Sequence, residues 1–270
     1  MSADDTTLEP PAAPAAAAAS FVQLMLRPTL FLVAGYAINT SVHELAHALA
    51  ALWLGVPSTL FHSYVSVDLA SQSPYVQGVV RAAGPVVSLV LGVLCWFAHR
   101  GLRGWWAELP LFYVAVFGVA RFLASLFSVA LTGDFNDMAA ALGLSMSVRY
   151  AVGGVGAFLL IGFAFDIGRE LREWVPPGVG MLKGTAAVVL VPALVGTAAI
   201  LLVYQPLAVN AAEVRPAESG VWIFAALGAL VGSARPSRTE GLDARRIDWL
   251  YVLAVVLVLR IMAIGIPLMP

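Results

Sequence analysis

His43-Glu44-Leu45-Ala46-His47 sets two imidazoles four residues apart, with a carboxylate beside the first, inside a run that is otherwise mostly apolar. Residues four apart share one face of a helix, so both imidazoles can hold a single zinc ion while Glu44 serves the water bound to it. That is the equipment of metal-assisted peptide hydrolysis. A plainer explanation also exists, in which the two histidines are polar groups of a packed helix. The chain has only 4 histidines, which makes this spacing hard to reach by chance.

A zinc ion that catalyses hydrolysis needs a third protein ligand and a position left open for water. The candidates lie in Leu131-Thr132-Gly133-Asp134-Phe135-Asn136-Asp137, at the end of a later apolar run. Asp134 and Asp137 are three apart and share a helix face, so either can reach the metal. Asp134, which follows Gly133, is the expected ligand; Asp137 is the alternative, or a partner of the ligands. The competing reading has the pair cap a helix over 138–144, because Asp and Asn favour helix starts. His62 and Asp68 are rival ligands from a loop, where a metal is held less firmly. His99 is read as a boundary residue at the end of a span.

The elements that must position these groups are membrane helices. The chain has 270 residues, 60% hydrophobic and 11% charged, which is outside the range of soluble domains and marks a multi-pass protein of a cell membrane, of the bacterial inner-membrane kind. A net charge of -1 without a basic run gives no sign of a nucleic-acid partner. Cys95 is alone, so neither an internal disulfide nor a cysteine metal cluster is available. Residues 1–20 carry Asp4, Asp5 and Glu9, no cation and a Pro/Ala run, which reads as a disordered cytosolic tail and not as a signal peptide.

Apolar runs able to cross a bilayer lie near 29–55, 79–99, 109–132, 150–168, 184–204 and 249–269, with a shorter one near 219–233. The expected fold is all-α, with six to seven transmembrane helices and a short β-strand or hairpin after the first. The strand is expected in Leu60-Phe61-His62-Ser63-Tyr64-Val65-Ser66-Val67, which is rich in β-formers. Charge bias favours seven crossings: Arg100, Arg103, Arg169, Arg172, Lys183, Arg235, Arg238, Arg245 and Arg246 then share one side, with only Arg215 and the boundary residues Arg81 and Arg149 opposite. The N-terminus is thereby cytosolic and the C-terminus outside. The first and third spans both run outward, which brings the histidine motif and Asp134 into the same half of the membrane. Three regions result: the tail over 1–20, a core over 21–148, and further transmembrane helices over 149–270. Within the spans, Arg121 and Asp166 lie at similar depth and are expected to form an ion pair. Arg260 has no evident partner in the sequence, and Gly84, Gly92, Gly153, Gly154 and Gly156 offer small surfaces for close helix packing.

Taken together, the histidine motif, Ala83-Gly84-Pro85 opening the second span, and the aspartate motif closing the third resemble the site-2 protease family of intramembrane zinc metalloproteases, peptidase family M50. The resemblance covers about residues 29–144; the third motif departs from the usual form, and no room exists for a PDZ domain. It implies zinc held by His43, His47 and Asp134, with Glu44 as general base, and an amide such as Asn136 near the oxyanion. In that family the site lies toward the cytosolic face, whereas the charge count sets it in the outer half. The strand over 61–67 either pairs with an unwound substrate or only seals the site. The expected partners are a membrane protein or peptide substrate and the lipid bilayer. Two other functions fit the sequence less well than hydrolysis: a catalytically inactive relative that binds or regulates partner helices, and, less well still, a metal transporter.

Overall fold

The computed structural model describes residues 21–102, 107–175, 178–204, 216–231 and 246–270. The expected tail over 1–20 lies outside them, as do Arg103, Arg215, Arg235, Arg238 and Arg245 of the charge argument. The described chain is helical apart from one small sheet. Helix α1 (Phe21–Trp53) leads into a hairpin of β1 (Ser58–Leu60) and β2 (Val65–Val67). Helices α2 (Pro74–Gly101) and α3 (Glu108–Phe127) follow, and α3 tightens into a 3₁₀ turn, Ser128–Ala130. Next come α4 (Asp134–Ala141) and α5 (Met146–Arg172). A π-turn, Ala186–Leu190, joins α6 (Met181–Thr185) to α7 (Val191–Tyr204), and α8 (Pro216–Val231), α9 (Arg246–Met262) and β3 (Ile266–Leu268) complete the order.

Local chemistry explains the starts. The Ser73 side chain accepts from the Val76 amide with Pro74 at the first helical position, and Ser145 accepts from the Val148 amide in the same way. Each apolar run expected from the sequence overlaps a helix, the last one only as far as Met262. Four segments are long and apolar enough to cross a membrane: Pro74–Gly101, Glu108–Ala130, Met146–Arg172 and Met181–Leu202. The 33 residues of α1 are long enough too, but Arg27, Asn39, His43, Glu44 and His47 interrupt its apolar character. The apolar stretches of α8 and α9, Val221–Val231 and Asp248–Leu259, are shorter.

Large apolar side chains fill a core between the helices, yet many others face outward. Helix α2 buries Gly84, Ser88, Gly92 and Cys95 and exposes Val86, Val90, Leu94 and Phe97, as expected where lipid is the outer solvent and small residues let helices approach. At the α2–α3 crossing a Cβ on Gly92 would lie 2.7 Å from the Val119 amide nitrogen. Gly153 and Gly156 likewise meet the backbone around Phe127, whereas Gly154 faces open space.

Helices α1 and α9 run parallel. Arg27 Nε lies 3.0 Å from Asp248 Oδ2, the rings of Phe31 and Tyr251 are 5.8 Å apart, and further along Met262 packs with Ala48 and Leu60. The sheet order is β2-β1-β3, both pairs antiparallel, with Ser58 opposite Val67 on one side and Leu268 on the other. The last apolar run therefore does not stay helical to 269. It ends at Met262, turns at Gly265 with φ 86°, and returns as a strand.

Two further expectations are corrected. Arg121 and Asp166 do not pair: Asp166 is on the outer face of α5, 3.4 Å from Arg169 one turn on, while Arg121 points at α1. His99 is not a boundary residue but fully buried, its Nε2 3.3 Å from Glu170 Oε1 and its ring against Trp96 and Phe112.

Candidate metal centre

Residues 40, 43, 44 and 47 form one face of α1, turned toward α2, α3 and the start of α4. The imidazoles of His43 and His47 stand nearly perpendicular, ring centroids 4.7 Å apart. Their Nε2 atoms are 3.1 Å from each other, and Asp134 Oδ2 lies 3.1 Å from the first and 3.6 Å from the second. His43 is 1% exposed, His47 7% and Asp134 8%. Asp137 is turned away and pairs with Arg81 at 2.8 Å, both side chains partly exposed. Of the two aspartates, it is thus Asp134 that joins the histidines.

These three donor atoms form the one group of three or more His, Cys, Asp or Glu side chains fit for a metal among the described residues. Neither His62 nor Asp68 belongs to it. His62 is buried in the hairpin turn, and the Asp68 carboxylate accepts from the Ala70 amide in a local turn.

The outer ends of the imidazoles show why the inner ends suit a cation. His47 Nδ1 lies 2.6 Å from the Val80 carbonyl, which can only accept; Nδ1 therefore carries a proton, and in the neutral ring Nε2 turns a bare lone pair inward. His43 Nδ1 is 3.1 Å from Ser88 Oγ, and the tautomer that donates there also leaves Nε2 bare. With both rings in that form, two lone pairs and a carboxylate face one another and repel unless a cation lies among them. Ligands about 2.1 Å from a tetrahedral zinc are about 3.4 Å apart, close to the observed edges. The donor set therefore fits a metal ion.

Helix α2 makes room for it. A Cβ on Gly84 would collide with His47 Nε2 and lie 2.6 Å from His43 Nε2, so any larger residue would fill the space between the imidazoles. Pro85 removes an amide donor next to this point. The Ala83-Gly84-Pro85 motif and Ser88 thus act on the metal site as well as on helix packing.

Helix α4 begins at Asp134 itself, and its N-cap is Gly133 at φ 91°, a backbone conformation that side chains resist. Capping does not account for Asp134, whose carboxylate is spent on the histidines. Asn136 does not line the cavity beside the site, and one of its two side-chain N–H groups donates to the Val129 carbonyl at 3.0 Å.

A cavity of about 250 Å³ opens beside the three donors, with Glu44, His47, Arg121 and Asp134 on the helix side and Tyr64 and Val65 of the hairpin opposite. Glu44 is 7% exposed. Sequence reasoning missed Ser88, the Val80 carbonyl and the approach of Arg121 to Glu44 at 3.5 Å; only Arg121, a cation inside an apolar run, carried a signal that could have found it. Comparison with protein-family models, with curated proteins and with solved structures yields no match.

Proposed function

We propose that this chain is an intramembrane zinc metalloprotease of the site-2 protease type, cutting peptide bonds in or near the membrane-spanning segments of other proteins. The observation that carries the reading is the convergence of the His43 and His47 Nε2 atoms and the Asp134 carboxylate on one point, with Glu44 on the wall of the adjoining cavity. His43, His47 and Asp134 would hold a zinc ion, which would supply Lewis acidity and make a water acidic enough to lose a proton near neutral pH. Glu44 takes that proton as general base and delivers it to the departing amine. Strand β1 is paired on both sides, whereas β2 keeps an outer edge, and Val65 and Val67 of β2 line the cavity. An unwound substrate can add to that edge, which exposes the peptide bond that a helix shields.

The same reading has seven crossings in a cell membrane, of the bacterial inner-membrane kind. The parallel course of α1 and α9 supports an odd number, because each reversal between them must be undone. With a cytosolic N-terminus the hairpin faces outward, so a thiol reagent added from outside should label Ser71→Cys.

The decisive experiment combines metal analysis with cleavage of a transmembrane reporter peptide in detergent. Wild type is expected to hold about one zinc per chain and to cut. Glu44→Gln is expected to hold the same zinc and not to cut. A purified chain that binds no metal, or a Glu44→Gln variant that cuts normally, overturns the proposal.

A further inference from the structure

The mechanism above leaves the buried Arg121, on the cavity wall, unused. We propose that Arg121, steadied by Thr40, is a positioning residue that holds the Glu44 carboxylate toward the metal site, an inference that rests on the metalloprotease reading and deepens it. Arg121 reaches from α3 into the face of α1 and is 7% exposed. Its Nη1 donates to Thr40 Oγ1 at 2.9 Å, and its Nη2 lies 3.5 Å from Glu44 Oε1. Thr40 and Glu44 are four apart on α1 and stand one above the other, so one planar guanidinium spans both. The threonine fixes the rotation of the guanidinium, and the guanidinium in turn restrains one carboxylate oxygen.

Such restraint matters because a glutamate has three side-chain torsions and here borders an open cavity. Proton abstraction needs the base within about 2.6–3.2 Å of its target, and an untethered carboxylate would meet that condition for only a fraction of the time. Arg81, the other guanidinium on the cavity wall, is paired with Asp137 and lies outside this arrangement. A lysine at 121 would keep the positive charge but lose the two fixed donor directions. Charge balance and positioning therefore make different demands, and Arg121→Lys separates them.

The test uses the full chain in detergent, loaded with cobalt and titrated with acetohydroxamate, with binding followed by the visible absorption of the metal. A hydroxamate bound at the metal would need the Glu44 carboxylate to take its proton, so its affinity would report the placement of Glu44 without any substrate. Wild type, Arg121→Lys, Thr40→Val and Glu44→Gln are all expected to hold one cobalt per chain. Hydroxamate affinity is expected to fall about tenfold or more in Arg121→Lys and about threefold in Thr40→Val, and Arg121→Lys should add nothing once Glu44→Gln is present. On the reporter peptide, Arg121→Lys should lower kcat with KM within about twofold of wild type.

Unchanged hydroxamate affinity in cobalt-loaded Arg121→Lys and Thr40→Val overturns the proposal, as does a further loss in the Glu44→Gln background. If Arg121→Lys does not fold, Thr40→Val decides alone, since it keeps the charge and removes only the steadying contact. If the hydroxamate pattern holds but wild type cuts no reporter, the protease reading fails and the positioning role stands.

Discussion

The bundle has two buried polar layers, at opposite ends of α1 and about 30 Å apart by helix rise from Arg27 to His47, and they are built on different plans. At the end where α1 starts, Arg27 meets Asp248 and His99 meets Glu170, each pair joining two helices. At the other end, His43, His47 and Asp134 aim three acceptor atoms at one point, and their outer atoms are tied to Ser88 and Val80. Polar groups inside a lipid-facing bundle are costly in both layers. Pairing explains the first as a clamp between helices; the second converges on a point where a metal ion could be held.

Changes in the two layers should therefore separate metal binding from stability. The largest effect is expected for His47→Ala: removing one of three ligands should weaken zinc by about 10³-fold, taking a third of the binding free energy of a small zinc site, measured by competition with a chromogenic chelator. Asp248→Ala leaves the buried Arg27 guanidinium without that partner and should cost about 3–5 kcal/mol of stability, seen as a lower Tm in detergent while the folded fraction keeps its zinc. A loss of zinc per folded chain in that variant would erase the distinction between the layers. Ser88→Ala removes only the orientation of His43 and should weaken zinc about 10- to 100-fold, with melting of the metal-free protein unchanged. Asp137→Asn, which breaks the partly exposed pair with Arg81, should shift stability by less than about 1 kcal/mol and leave zinc affinity alone. A marked loss of zinc there would return Asp137 to the ligand set.

The part of the centre that was legible in the sequence depended on local spacing and on depth. Four-residue spacing joins His43 to His47 whatever surrounds them, and the alternation of spans brings Asp134 to their level. Azimuth was not legible. Arg121 and Asp166 lie at similar depth, yet a helix turns about 100° per residue, and which way each span faces depends on neighbours that the sequence does not identify. Arg121 therefore meets Glu44, 77 residues away, and Asp166 faces outward. The same gap hid Ser88 and the buried partnership of His99 with Glu170. Strand β3 was missed for a different reason: its residues are as apolar as those of the helix before it, and the punctuation by Gly265 and Pro267 was the available signal.

That strand also sets an order of events. Strand β1 follows the first helix, but its second neighbour is the segment at Ile266–Leu268, some two hundred residues later. At about 5–20 residues per second of synthesis, β1 waits roughly 10–40 s with one edge open while the intervening helices are made. The hairpin that walls the cavity is therefore among the last parts of the molecule to be braced, and a nascent chain carries its histidines and Glu44 well before the sheet beside them is complete.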